Sequence, residues 1–177
     1  ESGHISLSRA KGTYHYPARF QLVAAMNPCP CGFAGIQNET CRCRPDVVGR
    51  YQARISGPLL DRIDLHIEVP TVPFDKISGM EAGESSEQIK QRVVAARKIQ
   101  LRRFAQSKAI MCNANMSSRA LKVCCQLDEA SLDLMKHAMA HVGLSARAYD
   151  RILKVARTIA DLAQQEHIHS DHVMEAI

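Results

Sequence analysis

The residue pattern changes near residue 85, and this change constrains the fold more than any other feature of the sequence. Over residues 1–70, short apolar runs and alternating stretches typical of strands stand beside a helical pattern. From residue 85 onward, apolar residues recur only at helical spacing. The segment 71–84 between them contains one Pro and two Gly and predicts a linker. The sequence therefore predicts a mixed α/β part over 1–70 and an all-helical bundle over 85–177.

Several elements are expected in the first part. A Lys-Gly pair between two alternating stretches predicts a β-hairpin. A short apolar run that ends before Asn27 predicts a buried strand of a parallel sheet, and an alternating run that ends at Pro70 predicts a second strand. In chain order the elements are the hairpin Ile5–Tyr16, the strand Phe20–Met26, the helix Pro45–Ile55, the helical turn Pro58–Arg62 and the strand Asp64–Val69.

The second part contains clear helix start and stop residues. Ser85 followed by Gln88 predicts a capping box, the reciprocal bonding of side chains and backbone amides that begins a helix. Gly143 predicts a helix end, because glycine adopts the left-handed conformation without strain. The five expected helices run from Ser85 to Gln106, from Ser117 to Gln126, from Asp128 to Gly143, from Ser145 to Leu162 and from Ser170 or Asp171 onward.

Four of the seven cysteines fall within fifteen residues as two C-x-C pairs: Cys29, Cys31, Cys41 and Cys43. An odd cysteine count without a secretory leader is typical of the reducing cytoplasm and argues against a disulfide framework. In that compartment the cluster predicts a structural zinc site, because thiolates are favoured zinc ligands and this Gly-containing loop has little core of its own. The alternative is two pairs of free or redox-labile thiols. The other three cysteines are expected to be small core or helix-face residues.

Three polar residues stand at positions where a functional role would explain the residue type. Asn27 ends the predicted buried strand, where open α/β sheets place ligands. Arg62 lies just before the second predicted strand, and Arg147 lies in the first turn of the fourth helix. The helix dipole disfavours a cation there unless an anion such as phosphate is near. The simpler interpretations are a turn at Asn27-Pro28, an ion pair of Arg62 with Asp61 or Asp64, and a surface position or an ion pair with Asp150 for Arg147.

Composition narrows the function classes. The net charge of +5 permits contact with nucleic acid but does not require it. The longest purely apolar run, Leu22 to Met26, is far shorter than the ~20 residues that span a bilayer, so no membrane partner is expected. His167, His169 and His172 have poor spacing for a metal site and are expected at the surface.

The chain resembles the magnesium-chelatase-like branch of the AAA+ ATPases, and within it the ComM/YifB type, over three long segments. These are PARFQLVAAMNPCPCG (Pro17–Gly32), RYQARISGPLLDRIDLHIEVP (Arg50–Pro70) and GLSARAYDRILKVARTIADL (Gly143–Leu162). The middle of the chain, 71–141, matches loosely. The resemblance implies that 1–70 is the carboxyl-side part of an AAA+ P-loop ATPase core and that 85–177 is its helical lid.

The resemblance also implies a role for each of the three polar residues. Asn27 falls at sensor 1, which positions the attacking water. Arg62 falls at the arginine finger, which enters the neighbouring subunit's site in a ring and stabilises transition-state charge. Arg147 falls at sensor 2, which contacts the bound nucleotide from the lid. The implied partners are other copies of the same chain in a ring, expected to be a hexamer.

The hairpin and the cysteines also have counterparts in that family. The segment Gly3–Tyr16 falls at the pre-sensor-1 hairpin, which in related ring helicases points into the central channel and contacts DNA. Arg9 and Lys11 suit such a contact, because Lys and Arg neutralise phosphates. The cysteine cluster falls where family members often carry paired cysteines, which favours a metal-binding loop without a catalytic role.

One departure from the family pattern is informative. The sequence contains no Gly-Lys dipeptide and so lacks the G-x-x-x-x-G-K-[ST] loop that cradles phosphates; no acidic Walker-B pair precedes Asn27 either. We therefore expect these elements upstream of Glu1, in a longer protein that is cut at both ends here. On this expectation ATP and Mg²⁺ serve the full-length protein, whereas the 177-residue chain alone neither binds ATP tightly nor hydrolyses it.

Three functions fit these residues. The first is a ring-forming, ATP-driven motor on DNA, with helicase or branch-migration activity in transformation and recombination. The second is a chelatase-like motor that remodels a protein or inserts a metal. The third is a non-enzymatic, zinc-bearing DNA-binding module with Ser145–Ile177 as a helix-turn-helix. The hairpin and the cysteine loop favour the first, and the third leaves the segment Leu59–Asp64 unexplained.

Overall fold

A computed structural model of the chain describes residues 3–35, 40–70, 72, 83–107 and 110–177. They belong to two compact units, Glu1–Ser56 and Gly57–Ile177. Within the described residues the chain is mostly helical, and it contains seven α-helices, one 3-10 helix and one two-stranded antiparallel sheet. None of those helices is long and apolar enough to cross a membrane. The predicted linker 71–84 lies mostly outside the described residues.

The predicted hairpin at the start of the first unit is confirmed. Strand β1 (His4–Arg9) pairs antiparallel with β2 (Gly12–Pro17), and Arg9 stands opposite Gly12 at the turn. Gly12 has a φ of 144°, a conformation that residues with a side chain rarely adopt, so glycine permits this tight turn. Ser6 and His15 are joined across the strands by a hydrogen bond of 2.8 Å. The opposite face carries four apolar side chains, each about half exposed: Ile5, Leu7, Tyr14 and Tyr16.

The two predicted sheet strands are wrong. Phe20–Met26 and Asp64–Val69 have no regular secondary structure. Their apolar side chains are exposed, Val23 by 84% and Ile67 by 79%. A strand needs neighbouring strands to pair its backbone N–H and C=O groups, and the strands among the described residues, β1 and β2, pair with each other. The predicted α/β core is therefore present in the described residues only as a hairpin and short helices.

Two short helices follow the cysteine loop. Helix α1 (Pro45–Gln52) confirms the predicted helix and ends slightly before its expected end. Proline suits its first position, because the amide that proline lacks has no helical partner there. Asp46 in the first turn is favoured by the helix dipole and pairs with Arg50 at 3.0 Å. Helix α2 (Gly57–Leu60) is a single turn at the start of the second unit.

The helices expected in the second part are confirmed. Ser85 and Gln88 form the predicted capping box, and Gly143 ends a helix with a φ of 68°. The side chains of Ser117, Asp128 and Ser145 each accept a hydrogen bond from a first-turn amide. The elements are α3 (Ser86–Arg103), a 3-10 helix (Asn113–Asn115), α4 (Ser118–Cys124), α5 (Glu129–Val142), α6 (Ala146–Leu162) and α7 (Ser170–Ala176).

Helix α6 is the centre of the second unit. It packs against α3, α4, α7 and the 3-10 helix, and its buried side chains recur one turn apart. The apolar core around it also contains Cys125, which confirms the expectation of a small core residue for that cysteine. The largest fully buried apolar side chains are Met135, Ile168 and Val173.

A polar cluster is buried beside this core. Arg103, Asn113, Arg157 and Asp161 join the ends of α3 and α6 through hydrogen bonds and ion pairs. The surface position expected for His172 is wrong, because this ring is 6% exposed and its Nδ1 accepts the His169 amide at 3.0 Å. The bond caps α7, and burial lowers the pKa of His172.

Candidate functional site

The four clustered cysteines lie together in the first unit. Their Sγ atoms are all within 4.8 Å of one another. The Sγ atoms of Cys29 and Cys31 are 3.3 Å apart, and each lies 3.6 Å from that of Cys41. The Cys29 side chain is buried, whereas the other three are partly exposed. In the described part of the chain this is the only group of three or more His, Cys, Asp or Glu side chains arranged so that it could hold a metal ion.

The chain around the first cysteine pair forms a tight turn. The Gly32 amide donates to the Cys29 carbonyl at 3.0 Å, and the Ala34 amide donates to Cys29 Sγ at 3.3 Å. Gly32 and Gly35 have φ angles of 87° and 79°, which glycine adopts without strain. These turns direct backbone N–H groups at sulfur, an arrangement that stabilises thiolate over thiol.

The pKa values of the four thiols are spread by their proximity. Hydrogen bonds from the backbone amides of Phe33 and Arg42 lower the pKa of Cys31 to about 6. A hydrogen bond from the backbone amide of Cys43 favours the Cys41 thiolate. Burial and the hydrogen bonds with the Cys31 and Cys29 thiols outweigh this effect and raise the pKa of Cys41 to about 12. Thiols this close share protons when no cation balances their charge. A divalent metal removes that conflict, because it binds all four as thiolates.

The arrangement fits a tetrahedral zinc ion. A Zn–S bond of about 2.3 Å puts the sulfurs of a regular tetrahedron about 3.8 Å apart. The three separations of 3.3 to 3.6 Å lie close to that edge length. Zinc bound by four thiolates would leave no open coordination position, so its contribution here would be structural.

Asn27 lies in the same unit, two residues before Cys29, and its side chain is exposed. Together with Met26, Tyr51 and Arg54 it lines an open hollow beside α1. Because the predicted strand before it is absent, Asn27 does not stand at the edge of a sheet among the described residues. Its role as sensor 1 stays a prediction.

Arg9 and Lys11 lie at the tip of the hairpin. Arg9 is the last residue of β1, and Lys11 lies in the turn that leads to Gly12. Both side chains are exposed. The tip therefore presents two cations to solvent, and the half-exposed rings of Tyr14 and then Tyr16 follow along β2 with increasing distance from the turn.

Arg62 and Arg147 both belong to the second unit, and Arg147 pairs with the residue that precedes Arg62. Arg62 is exposed, and its Nη1 donates to the carbonyl of Pro58 one turn before it. Arg147 stands in the first turn of α6 and pairs with Asp61 at 3.7 Å. Asp150, the partner considered from the sequence, is not the carboxylate of this pair.

A further arginine joins this group and was not identified from the sequence. Arg151 lies one turn after Arg147 on α6, and its Nη2 donates to the Asp61 carboxylate at 3.2 Å. Its Nη1 donates to the Ile63 carbonyl at 3.1 Å. The spacing of the two arginines along one helix face was the available indication. Their common partner, Asp61, is remote in sequence.

Two family models match the chain. Residues 1–77 match the model described as magnesium chelatase, subunit ChlI. Residues 83–177 match the model described as magnesium chelatase, subunit ChlI C-terminal. The gap between the two matches falls inside the predicted linker 71–84.

Curated relatives match the entire chain. Competence protein ComM of Haemophilus influenzae is 43% identical over 179 aligned residues. An uncharacterised protein, YifB of Escherichia coli, is 46% identical, and the uncharacterised Mb2921c of Mycobacterium bovis is 38% identical. Each alignment covers 100% of this chain and 34% of the relative, so the chain spans about a third of the length of these proteins. The matches confirm the resemblance drawn from the three sequence segments.

Proposed function

Because this chain belongs to the magnesium chelatase ChlI family and is of the ComM/YifB type, we propose that it forms part of a ring-forming, ATP-driven AAA+ motor that acts on DNA. The observation that carries the proposal is the match of the whole chain to a competence protein at 43% identity. Helicase or branch-migration activity in transformation and recombination is the form of the activity that we propose.

In this proposal the three polar residues act on ATP. Asn27 orients the attacking water, and Arg147 contacts the nucleotide from the lid. Arg62 enters the site of the neighbouring subunit and stabilises the charge that develops during phosphoryl transfer. The exposure of Arg62 supports this role, because a finger must leave its own subunit. ATP with Mg²⁺ supplies the phosphoryl group and the metal charge; the loop that would cradle them is not among the motifs of this sequence.

We propose that the hairpin tip is the DNA contact of this chain. Arg9 and Lys11 would neutralise phosphates, and Tyr14 and Tyr16 offer exposed rings on which bases can stack. Contacts of this kind recognise the DNA backbone and base faces without reading sequence. The proposal therefore predicts DNA affinity that depends strongly on salt and weakly on sequence.

Salt-dependent binding of fluorescently labelled DNA by the full-length protein tests this contact. The double variant R9A/K11A should weaken binding and reduce the slope of log K against log salt by about 1 for each lost phosphate contact. The matched control is R119A/K122A, which removes two exposed cations from the α4 segment of the other unit and should leave the slope unchanged. Equal slopes for both double variants would refute the hairpin contact.

We also propose that the four cysteines hold one structural zinc ion. The short sulfur separations and the amide groups directed at Cys29 and Cys31 support this occupant over free thiols. Because both pairs belong to the loop that precedes α1, the ion would fix that loop where the chain has little apolar core.

A chelatase-like motor that remodels a protein or inserts a metal is the second candidate. It is favoured by the descriptions of both family models, which name a magnesium chelatase subunit. The two candidates share the ATP-driven ring and differ in substrate. Failure of the full-length protein to bind DNA even at low salt, together with intact ATP hydrolysis, would favour this second candidate.

The third function considered from the sequence, a helix-turn-helix over Ser145–Ile177, has little support. Its second helix would be α7, whose described residues include Asp171 and Glu175 and neither Lys nor Arg. Its first helix would be α6, which occupies the centre of the core. A recognition helix that enters a groove of DNA needs cations or hydrogen-bond donors toward the phosphates.

A further inference from the structure

The guanidinium of Arg151 forms hydrogen bonds with the residues on both sides of Arg62. One of its terminal nitrogens donates to the side chain of Asp61, at 3.2 Å, and the other donates to the backbone carbonyl of Ile63, at 3.1 Å. Asp61 and Ile63 are the immediate neighbours of Arg62 in the sequence. The two ends of one rigid, planar group thus hold the residues before and after the proposed arginine finger.

The Arg151 guanidinium is less exposed to solvent than the cation of an ordinary surface ion pair. The Arg151 side chain is 19% exposed, compared with 40% for Arg147 and 42% for Asp61. Asp64 lies 3.9 Å from the same guanidinium and adds a second carboxylate. Sheltered, bidentate arginine contacts fix geometry more effectively than exposed single contacts, because fewer waters compete and the fork permits fewer arrangements.

The side chain of Arg62 itself is exposed. Its Nη1 donates to the carbonyl of Pro58, one turn before it in the chain. Its direction is therefore set by the conformation of the turn 61–63, and that turn is fixed to α6 through Arg151.

We infer that Arg151 is a positioning residue for ATP hydrolysis: it fixes the Asp61–Ile63 turn on α6 and thereby aims Arg62 at the neighbouring subunit's nucleotide. The role rests on the ATPase function proposed above. Arg151 does not contact the nucleotide in this scheme. Its loss therefore lowers transition-state stabilisation and leaves ground-state binding of ATP unchanged.

Steady-state ATP hydrolysis by the full-length protein tests the inference. R151M is expected to lower kcat about 10- to 100-fold with the KM for ATP within about twofold of wild type, the cost typical of a misplaced catalytic group. R151K is expected to fall nearly as far, because one ammonium cannot hold both the Asp61 carboxylate and the Ile63 carbonyl. The matched control is K154M, which removes a cation of the same helix whose partner is the Ala114 carbonyl and should hydrolyse ATP like wild type.

A double-mutant cycle separates positioning from general damage. Because the contact between Asp61 and Arg151 is lost in either single variant, D61N combined with R151M should lower kcat by less than the two single effects together. Circular dichroism melting of each variant establishes that it is folded, and R151K keeps the cation should R151M unfold.

Different results would refute the positioning role of Arg151 and the ATPase function on which it rests. If wild-type protein hydrolyses ATP, R62A abolishes the activity and R151K has wild-type kcat, the inference is refuted and the function stands. A raised KM with unchanged kcat in R151M would likewise refute positioning. If wild-type full-length protein does not hydrolyse ATP, the proposed function itself fails.

Discussion

Replacing Asp161 by alanine is expected to destabilise the second unit, although simple helix rules predict the opposite. Asp161 lies near the carboxyl end of α6, where the helix dipole disfavours a negative charge. Judged from the helix alone, D161A would therefore stabilise. Its carboxylate is fully buried, however, and it balances Arg103 and Arg157, which are 18% and 3% exposed.

The magnitude follows from the contacts that are lost. The carboxylate accepts hydrogen bonds from both terminal nitrogens of Arg103 and, at 2.8 Å, from Asn113 Nδ2, and it pairs with Arg157 at 3.2 Å. Removing one partner of a buried ion pair costs about 3–5 kcal/mol. Arg157 keeps its bonds to the Gln165 and Glu166 carbonyls, so we expect the low end of that range, about 3 kcal/mol.

Thermal unfolding measured by circular dichroism tests this expectation. For a unit of this size, about 3 kcal/mol corresponds to a fall in Tm of about 10 °C. D133A, which removes an exposed carboxylate paired with Lys136 on α5, is the control and should leave Tm unchanged. A higher Tm for D161A than for wild type, or a change as small as that of D133A, would show that the buried cluster does not hold α3 and α6 together.

The same carboxylate gives a pH dependence of known sign. Burial alone would raise the pKa of Asp161, but the hydrogen bonds of Arg103 and Asn113 and the two arginine charges lower it below the ordinary 3.8. A lowered folded-state pKa stabilises the protein above the unfolded-state value, and this stabilisation disappears as the pH falls through the folded-state value. The Tm difference between wild type and D161N should thus be constant near neutral pH and shrink below about pH 4.

Two further predictions concern the first unit. Protein purified without chelators should contain about one zinc ion per chain. The variant C31S should lose most of this zinc, whereas C112S, which changes a cysteine outside the cluster, should keep it. A zinc content below about 0.3 equivalents in the wild-type protein would contradict the proposed zinc site. The exposed apolar run Phe20–Met26 should make the 177-residue chain self-associate, and V23K should shift light-scattering masses toward the monomer, whereas V123K, at a Val that is 69% exposed elsewhere, should not. A wild-type chain that stays monomeric at all concentrations would refute this second expectation.

The helices of the second unit could be predicted from sequence because their causes are local. The capping box at Ser85 depends on residues three positions apart. The end at Gly143 depends on one backbone conformation. Such signals are complete within a few residues and need no knowledge of the rest of the fold.

The strands could not be predicted correctly because a strand needs partners that are distant in sequence. Phe20–Met26 has the composition of a buried strand, yet the described residues provide no neighbour for it. The hairpin was predictable because its partner lies across a short turn.

The candidate sites divide in the same way. The cysteine cluster was visible from spacing, since each pair is local and one loop joins them. Arg151 and the buried position of His172 were not visible, because both depend on contacts between separate elements. The sequence of a helix gives the face on which a side chain lies and leaves open which element packs against that face.

The most direct test of the central proposal is complementation between two inactive full-length variants. One is R62A; the other is a subunit in which ATP binding has been abolished. If Arg62 acts on the ATP of a neighbouring subunit, a site formed by an ATP-binding R62A subunit and an intact arginine from the second variant is complete. In a random one-to-one mixture, about a quarter of the interfaces place the ATP site of an R62A subunit against the arginine of the second variant. We therefore predict recovery of about a quarter of wild-type ATP hydrolysis. Mixtures that hydrolyse no more ATP than the two variants measured separately would contradict the proposal.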